Sequence, residues 1–358
     1  MILEHITISE SDSLFFKRDF FEKHIVILYG AGQYGQQVAE LLRKRRCKVF
    51  AFCDNNKEKV GQELAGLPIL HPTELDVIEN LAVFITARHQ VRPIEMSLKK
   101  ENIQCIPFDK YIVVKDMAAY ERAYSLLSDD YSKKTFSAVL NTMVTGDTSH
   151  LLEVLEDHEF FCLPEFQMTE NATFLDAGAY VGDTLEKFIW NCGGIFNKAF
   201  CFEPSIKPFQ AMQKRVKRLN EEWNLDEGQI SCINAGIGEY NGHLKFQYIT
   251  NQPQTSAFVE ESTNSIVAQM YTLDEFISQN DIHFDFIKMD IEGYEMRMLR
   301  GAKETIQRDK PKLAVSVYHT PEHLYEVITY LTDLVEAYRF SLRQHSNSLV
   351  ATTLYVYL

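Results

Sequence analysis

The sequence lacks the long apolar runs and the basic excess that mark two large classes of protein. No apolar run approaches the length of a bilayer-spanning helix, and the first residues lack a basic start followed by an apolar stretch. We therefore expect no membrane span and no secretory leader, and hence a cytoplasmic protein. Lys and Arg number 36 against 50 Asp and Glu, which gives a formal net charge of −14. Nucleic acids select basic surfaces, so we expect no nucleic-acid partner.

Cysteine is present without a pairing pattern. The seven cysteines are scattered, odd in number and include no C-x-x-C pair. This distribution favours reduced thiols over a disulfide framework or a zinc site. At 358 residues, of which 46% are hydrophobic and 24% charged, the chain is long enough for two ordinary globular domains.

What the sequence does have is two glycine loops, each directly after a buried strand. The first loop, in "IVILYGAGQYG", places Gly30, Gly32 and Gly35 in the G-x-G-x-x-G pattern between a strand and a helix. Asp54 ends the next predicted strand, where an acid can hold a ribose. The pattern favours a nucleotide, a nucleotide-sugar or NAD in this part of the chain. A domain that needs the glycines only for tight packing is the alternative.

The second loop, "FLDAGAYVGDT", has a different chemistry because it begins with an acid. That acid, Asp176, would repel a pyrophosphate and suits a cationic sulfonium, so the loop favours S-adenosylmethionine over NAD. Glu203 and Asp290 end later strands of the same predicted sheet, and Glu203 is placed to accept ribose hydroxyls. The residues predicted to contact the cofactor are Asp176, Gly178, Tyr180, Gly182, Asp183, Thr184, Glu203 and Asn234.

Strand and helix patterns alternate twice along the chain, with a helix-rich stretch between the two halves. We predict an α/β protein with two Rossmann-like domains, of which the second has a seven-stranded methyltransferase-type sheet. The predicted units are a nucleotide-binding domain at 1–114, a helical linker or lid at 115–168 and a methyltransferase domain at 169–358. The last two strands, "RFSLRQH" and "ATTLYVYL", are joined by a turn too short for a crossover, so they should be antiparallel.

Five stretches of the second half resemble the FkbM-type methyltransferases, which are S-adenosylmethionine-dependent O-methyltransferases. They are "FLDAGAYVGDTLEKF", "AFCFEPS", "YTLDEFI", "FIKMDIEGYEMRMLRGAKETI" and "KPKLAVSVYHTPEHLYEV". The resemblance runs from about residue 120 to the end. It implies a hydroxyl acceptor on a sugar, a glycan or another small molecule. It also implies cofactor contacts at Asp176, Gly178, Glu203 and Asn234.

By the same resemblance, Asp290 and Glu292 line the reaction end of the site. His319 ends the fifth predicted strand of the second half, "KLAVSVYH". Together with the two acids it is a candidate for the base that removes the hydroxyl proton. Lys288 precedes the two acids in the same alternation and is expected to neutralise them. Two carboxylates are too few to predict a metal site. Family members often have histidine and glutamate where this chain has Gln344 and Ala351, which favours a different acceptor or a loss of turnover.

The first half is similar to the nucleotide-sugar-binding domains of bacterial sugar acyltransferases and to related NAD-binding domains. The likeness covers about residues 24 to 108. It leaves two alternatives beside the methyltransferase, namely a nicotinamide-dependent oxidoreductase and a binding protein without turnover. The sequence does not fix the oligomeric state, and a homo-oligomer is one assembly that it allows.

Overall fold

The computed structural model describes residues 9, 11–167, 171–247, 257–258 and 265–358. Its strands are β1 (Ile25–Tyr29), β2 (Ala51–Cys53), β3 (Glu63–Leu64), β4 (Leu67–Leu70), β5 (Leu81–Ile85), β6 (Gln104–Pro107), β7 (Thr173–Ala177), β8 (Lys198–Phe202), β9 (Ile230–Ile233), β10 (Gly236–Ile237), β11 (Gly242–Gln247), β12 (Ala257–Phe258), β13 (Ser265–Tyr271), β14 (Phe286–Met289), β15 (Lys312–Ser316), β16 (Arg339–Gln344) and β17 (Thr352–Tyr357).

The α-helices lie between these strands and before the first of them. They are α1 (Phe20–Lys23), α2 (Gln33–Lys44), α3 (Val91–Lys100), α4 (Phe108–Lys115), α5 (Met117–Ser125), α6 (Asp130–Thr145), α7 (Ser149–Leu152), α8 (Asp183–Asn191), α9 (Ile206–Trp223), α10 (Leu273–Asn280), α11 (Glu295–Arg300), α12 (Lys303–Asp309) and α13 (His323–Leu334). None of the helices that the structure describes combines the length and the apolar character needed to cross a membrane.

The first sheet has the strand order β3-β4-β2-β1-β5-β6. Strands β1, β2, β5 and β6 pair in parallel, as buried apolar runs between helices should. The sequence interpretation missed the hairpin of β3 and β4, which adds an antiparallel edge. Its strands are too short to show a periodicity, and its turn uses Ala65 and Gly66, both with positive φ.

The second sheet has seven strands, as predicted, and their order is β16-β17-β15-β14-β7-β8-β9. Strands β7, β8, β9, β14 and β15 are parallel, so their carboxyl ends meet at one edge. Strand β17 is antiparallel to both β15 and β16, which confirms the prediction made from the short turn. The two sheets together confirm the predicted fold class.

A smaller sheet, β10-β13-β11-β12, was not predicted. Strand β10 has two residues and pairs with β13, which lies far along the chain, so no local pattern marks the pair. Residues 248–256 and 259–264 lie outside the described residues.

Helices α5, α6 and α7 occupy the predicted linker. Isolated parallel bridges pair Leu127 with Phe340 and Leu155 with Gln344, so this stretch runs beside the edge strand β16. One apolar cluster joins buried residues of both sheets, including Leu28 and Leu175, so the two halves share a core. The division into three units and the lid role remain predictions, and the predicted boundary at residues 168–169 lies outside the described residues.

A half-buried histidine attaches the end of the linker to the second sheet. His345 Nδ1 lies 2.8 Å from the Glu156 carbonyl oxygen, and Nε2 lies 3.0 Å from the Tyr355 hydroxyl. That hydroxyl also accepts a hydrogen bond from the Phe160 backbone N–H at 2.9 Å. Burial lowers the pKa of His345 to about 4, so the ring is neutral in the folded protein at pH 7.

We expect this histidine to make the protein less stable in mild acid. The unfolded chain takes up the proton below about pH 6.5, whereas the folded chain resists it down to about pH 4. The contribution is therefore complete above pH 6.5 and is lost as the pH falls toward 4, by about 2–3 kcal/mol. Urea denaturation at pH 7 and pH 4.5 measures this loss. In His345→Asn the loss should shrink by about that amount, and an unchanged difference would contradict the assignment.

Candidate functional site

The loop after β7 is shaped by residues with positive φ. Gly178 has φ +77°, Tyr180 has φ +46° and Gly182 has φ +79°. A Cβ on Gly178 would lie 1.9 Å from the Asp290 carbonyl oxygen, so only glycine lets the ends of β7 and β14 approach this closely. Gly182 is the N-cap of α8, whose start is open to an anionic or polar ligand group. The sequence thus builds a tight loop that meets the Asp290 loop directly.

Glu203, after β8, holds the glycine loop from the other side. Its carboxylate is buried and accepts hydrogen bonds from the backbone N–H groups of Tyr180, at 3.0 Å, and Ser205, at 2.7 Å. Burial raises the pKa of Glu203, and these N–H groups oppose the rise. Each carboxylate oxygen has a second lone pair for a ligand hydroxyl. The predicted ribose contact is therefore also a support of the loop.

The remaining predicted cofactor residues surround Glu203 and the loop. Asn234 is exposed, and its side-chain amide donates hydrogen bonds to the carbonyls of Glu203 and Pro204 at 2.8 and 3.1 Å. Asp183 and Thr184 are the first residues of α8, and Thr184 is buried. All of these residues stand at the carboxyl edge of the seven-stranded sheet, where ligands of open α/β sheets bind.

Asp176 lies deeper than the prediction assumed. Its carboxylate is fully buried, and Lys288 Nζ lies 2.9 Å from Oδ1. The same ammonium donates hydrogen bonds to the carbonyls of Gly178, at 2.8 Å, and Ala177, at 3.3 Å. Lys288 thus pairs with Asp176 and supports the glycine loop. The expectation that Lys288 neutralises the two later acids was wrong in this respect.

The three predicted catalytic residues do come together. His319 Nε2 lies 3.6 Å from Asp290 Oδ1 and 3.5 Å from Glu292 Oε2. The prediction placed the two acids on one face of an extended chain. They instead converge through a turn after β14, in which Glu292 has φ +57° and Gly293 has φ +95°. The Tyr318 hydroxyl donates a hydrogen bond to Asp290 Oδ1 at 3.1 Å, so this ring also points into the site.

Glu295 and His323 complete the cluster and were missed from the sequence. Glu295 is fully buried at the start of α11, with Oε1 3.0 Å from His319 Nδ1 and Oε2 3.2 Å from His323 Nδ1. Oε1 also accepts the backbone N–H of Ile291 at 2.9 Å. In the sequence, an acid three residues after Glu292 indicates only the first turn of a helix, because acids are common in first turns. Only the fold shows that it faces His319.

The cluster perturbs the acidity of its members. Burial raises the pKa of Glu292 to about 7, and the charge of His319 opposes the rise. Burial alone would lower the pKa of His319, but the carboxylates of Glu295, Glu292 and Asp290 outweigh it and raise that pKa to about 9. The two histidines hold the pKa of Glu295 well below its usual range despite burial. At neutral pH the cluster therefore contains a protonated His319 and a Glu292 that is close to its midpoint.

The first half of the chain reaches this cluster through α2. Gln33 Nε2 donates a hydrogen bond to Glu292 Oε2 at 3.0 Å, and Gln37 lies against Gly293. Arg88 donates a hydrogen bond to the Tyr318 carbonyl at 2.7 Å, while its guanidinium is paired with Asp109. The start of the first glycine-loop helix is therefore part of the wall of the second site.

The first glycine loop is itself tightly packed. A Cβ on Gly35 would lie 2.0 Å from the Gly30 carbonyl oxygen, whereas nothing lies within 4 Å of a Cβ on Gly32. Asp54 Oδ2 accepts the Ala31 N–H at 3.0 Å and lies 3.2 Å from Lys59 Nζ. Two of the three glycines thus serve packing, and Gly32 is the one that faces open space.

The two departures near the end of the chain lie at the two ends of the turn between β16 and β17. Gln344 is buried, and its side-chain amide donates hydrogen bonds to the carbonyls of Ser346, Ser348 and Val350 at 2.7–2.8 Å. Ala351 follows with φ +58°. Gln344 therefore holds the β16–β17 turn in shape, a structural role that its position in the sequence did not suggest.

Two family models match this chain. Residues 176–342 match the FkbM methyltransferase domain, and residues 22–106 match the N-terminal domain of C2185-like proteins. Comparison with curated proteins finds no match.

A solved structure shares the fold of this chain. The chain is similar to the FkbM methyltransferase of Methylobacillus flagellatus KT, with 23% identity and a TM-score of 0.57 over 95% of this chain and 94% of that one. It is also similar to Aeropyrum pernix fibrillarin with bound S-adenosyl-L-methionine, with 10% identity and a TM-score of 0.33 over 54% of this chain and 68% of that one. UDP-D-quinovosamine 4-dehydrogenase from Vibrio fischeri is 29% identical over 24% of this chain and 79% of that one, with a TM-score of 0.20. The first likeness extends the shared fold over both halves.

Proposed function

We propose that this chain, whose residues 176–342 match the FkbM methyltransferase domain, is an S-adenosylmethionine-dependent methyltransferase that methylates a hydroxyl of a sugar, a glycan or a related small molecule. The observation that carries the proposal is the contact between the glycine loop and the acidic cluster. The Asp290 N–H donates to the Ala177 carbonyl at 3.1 Å, and Gly178 lies against the Asp290 carbonyl. A cofactor seated on the loop is therefore next to Asp290, Glu292 and His319.

The residues at the loop fit S-adenosylmethionine. The buried Glu203 carboxylate has lone pairs left for ribose hydroxyls, and the exposed Asn234 stands beside it for the base. The positive-φ glycine loop and the start of α8 offer backbone N–H groups to the amino-acid tail. The bound cofactor supplies an electrophilic methyl group on a sulfonium.

The acidic cluster is suited to bind a hydroxyl and remove its proton. His319 is protonated at neutral pH, so a carboxylate rather than the imidazole is the base, and Glu292 has a pKa of about 7. Asp290 is held by Tyr318 and Glu292 by Gln33, which fixes both carboxylates. Two carboxylates on one side of the site can accept hydrogen bonds from neighbouring hydroxyls, as on a sugar ring. Fixing the acceptor oxygen in line with the methyl group can lower the barrier by up to about 7–11 kcal/mol.

The first half of the chain supports a nucleotide-linked sugar as the acceptor. Gly32 faces open space at the start of α2, where backbone N–H groups suit a phosphate. The next residue, Gln33, contacts Glu292, so a sugar attached to a phosphate at this helix start would extend toward the reaction end. Transfer of radiolabelled methyl groups to UDP-linked sugars and to the same free sugars tests this point. Equal transfer to both forms would mean that the protein does not recognise the nucleotide part of the acceptor.

Replacing Glu203 with alanine is expected to weaken cofactor binding by about 30-fold, because one charged acceptor worth about 2 kcal/mol is lost. Calorimetry with S-adenosylhomocysteine measures the effect. Glu222→Ala is the matched control, since Glu222 is exposed near the end of α9 and pairs with Arg218 on the same helix. Full affinity in Glu203→Ala, or no binding by the folded wild type, would overturn the cofactor site.

A further inference from the structure

Asp290, Glu295 and His319 each bring one potential ligand atom within 4.8 Å of the other two. His319 Nδ1 lies 3.0 Å from Glu295 Oε1, and His319 Nε2 lies 3.6 Å from Asp290 Oδ1. Two ligands bound at about 2.1 Å from one ion lie about 3.0 Å apart at a right angle and about 3.4 Å apart at a tetrahedral angle. These two distances start from opposite ring nitrogens, of which one ion can bind only one, so the ion would share one atom from each side chain, and those atoms lie within 4.8 Å of one another.

The buried polar atoms of this cluster are not satisfied by the protein. Both ring nitrogens of His319, which is 6% exposed, lie buried without a hydrogen-bond partner among the described residues, and so does Oε2 of the fully buried Glu295. His319 Nδ1 is close to Glu295, but the two groups are not aligned for a hydrogen bond. Buried polar groups in native proteins almost always have a partner. Unpaired ring nitrogens aimed at carboxylates therefore indicate a missing ligand.

The charge of the cluster has the same implication. Glu292 adds a third carboxylate within 3.5 Å of His319. The basic side chains that pair with these three acids, in the part of the chain that the structure describes, are His319 and His323. Lys288 is paired with Asp176, and Arg88 is paired with Asp109. Three carboxyl groups face two imidazoles here, and a divalent cation would neutralise the negative charge that remains.

We propose that Asp290, Glu295 and His319 bind one divalent transition-metal cation of the Mn²⁺ type. An imidazole nitrogen favours a transition metal over Mg²⁺ or Ca²⁺, which take oxygen ligands, and the two carboxylates suit Mn²⁺. The cation would replace one of the two ring protons of His319, which would then bind as a neutral imidazole. Three protein ligands leave coordination positions open, as in catalytic rather than structural metal sites.

The open positions give the cation a role in the proposed reaction. This part rests on the proposed function. The acceptor hydroxyl would bind the cation through its oxygen, which makes its proton easier to lose, and the proton would pass to the Glu292 carboxylate beside it. Glu292 is not a ligand in this arrangement and stays hydrogen-bonded to Gln33. The cation would then select acceptors whose hydroxyl can reach the partly exposed Asp290.

The test is a titration of the metal-free full-length protein with MnCl₂ in the absence of cofactor. Binding is measured by calorimetry and by the electron paramagnetic resonance signal of the Mn²⁺ that stays free. We expect one Mn²⁺ per chain. Asp290→Asn and His319→Gln should each weaken binding by at least about tenfold. The control is Glu322→Gln, because Glu322 is buried nearby but lies 3.4 Å from Arg45. Circular dichroism melting shows which variants are folded.

Two results would overturn the metal site. One is a folded wild-type protein that takes up no Mn²⁺. The other is a folded Asp290→Asn variant that binds Mn²⁺ as tightly as the wild type, which is informative even if His319→Gln does not fold. S-adenosylhomocysteine binding by the metal-free protein is measured in parallel. If the cofactor binds and the metal does not, the metal site alone fails, whereas loss of cofactor binding in the folded wild type counts against the proposed function.

Discussion

Replacing Glu292 with glutamine should slow methyl transfer by about 10²–10⁴-fold, the typical contribution of a general base. Glutamine keeps the shape of the side chain and an oxygen that can accept the hydrogen bond from Gln33, but it cannot take up a proton. The hydroxyl oxygen would then have to attack the methyl group without a base that accepts its proton. Single-turnover transfer of radiolabelled methyl groups to the best acceptor of the sugar panel measures the rate.

Cofactor affinity separates this effect from a damaged site. Glu203 and the glycine loop hold the cofactor in our proposal, so Glu292→Gln should bind S-adenosylhomocysteine within about twofold of the wild type. The exposed Glu326 on α13 provides the control, since Glu326→Gln makes the same chemical change away from the cluster. A Glu292→Gln protein with wild-type turnover would assign the proton to Asp290 or to another group.

The residues of the site that follow from the strand pattern could be predicted from the sequence. Asp176, Glu203 and Asp290 end strands of one parallel sheet, and parallel topology places such ends at one edge. The predicted meeting of Asp290, Glu292 and His319 holds for the same reason, since β14 and β15 are neighbours. The glycine loop could be located because two of its three positive-φ positions, Gly178 and Gly182, are glycines.

What could not be predicted depends on contacts between distant parts of the chain. Glu295 looks like a common acid at a helix start, and its approach to His319 depends on the turn at Glu292 and Gly293. The contact of Gln33 with Glu292 spans the two halves of the chain, and no spacing rule links them. Lys288 was assigned to the wrong acids because alternation shows which face a side chain takes but not which neighbouring strand it meets. Secondary structure thus located the site, and tertiary contacts determine its chemistry.

The buried ion pair of Lys288 with Asp176 should contribute strongly to the stability of the fold around the cofactor loop. The Lys288 ammonium is 2% exposed and lies 2.9 Å from the fully buried Asp176 carboxylate. Replacing Lys288 with methionine keeps most of the apolar stem but leaves that carboxylate without its counter-charge. Removing one partner of a buried pair typically costs about 3–5 kcal/mol. We therefore expect Lys288→Met to lower the free energy of unfolding by about that amount in urea denaturation.

The second variant of the pair makes this prediction specific to the ion pair. Asp176→Asn combined with Lys288→Met removes both charges, and replacing both partners of a buried pair is often close to neutral. The double variant should therefore regain much of the stability lost in Lys288→Met, with a coupling of about 1–3 kcal/mol in the double-mutant cycle. Strictly additive losses would mean that Lys288 acts through its hydrogen bonds to the Ala177 and Gly178 carbonyls instead. In that case the ammonium shapes the loop by binding backbone, and both Lys288→Met proteins should bind S-adenosylhomocysteine more weakly even where they remain folded.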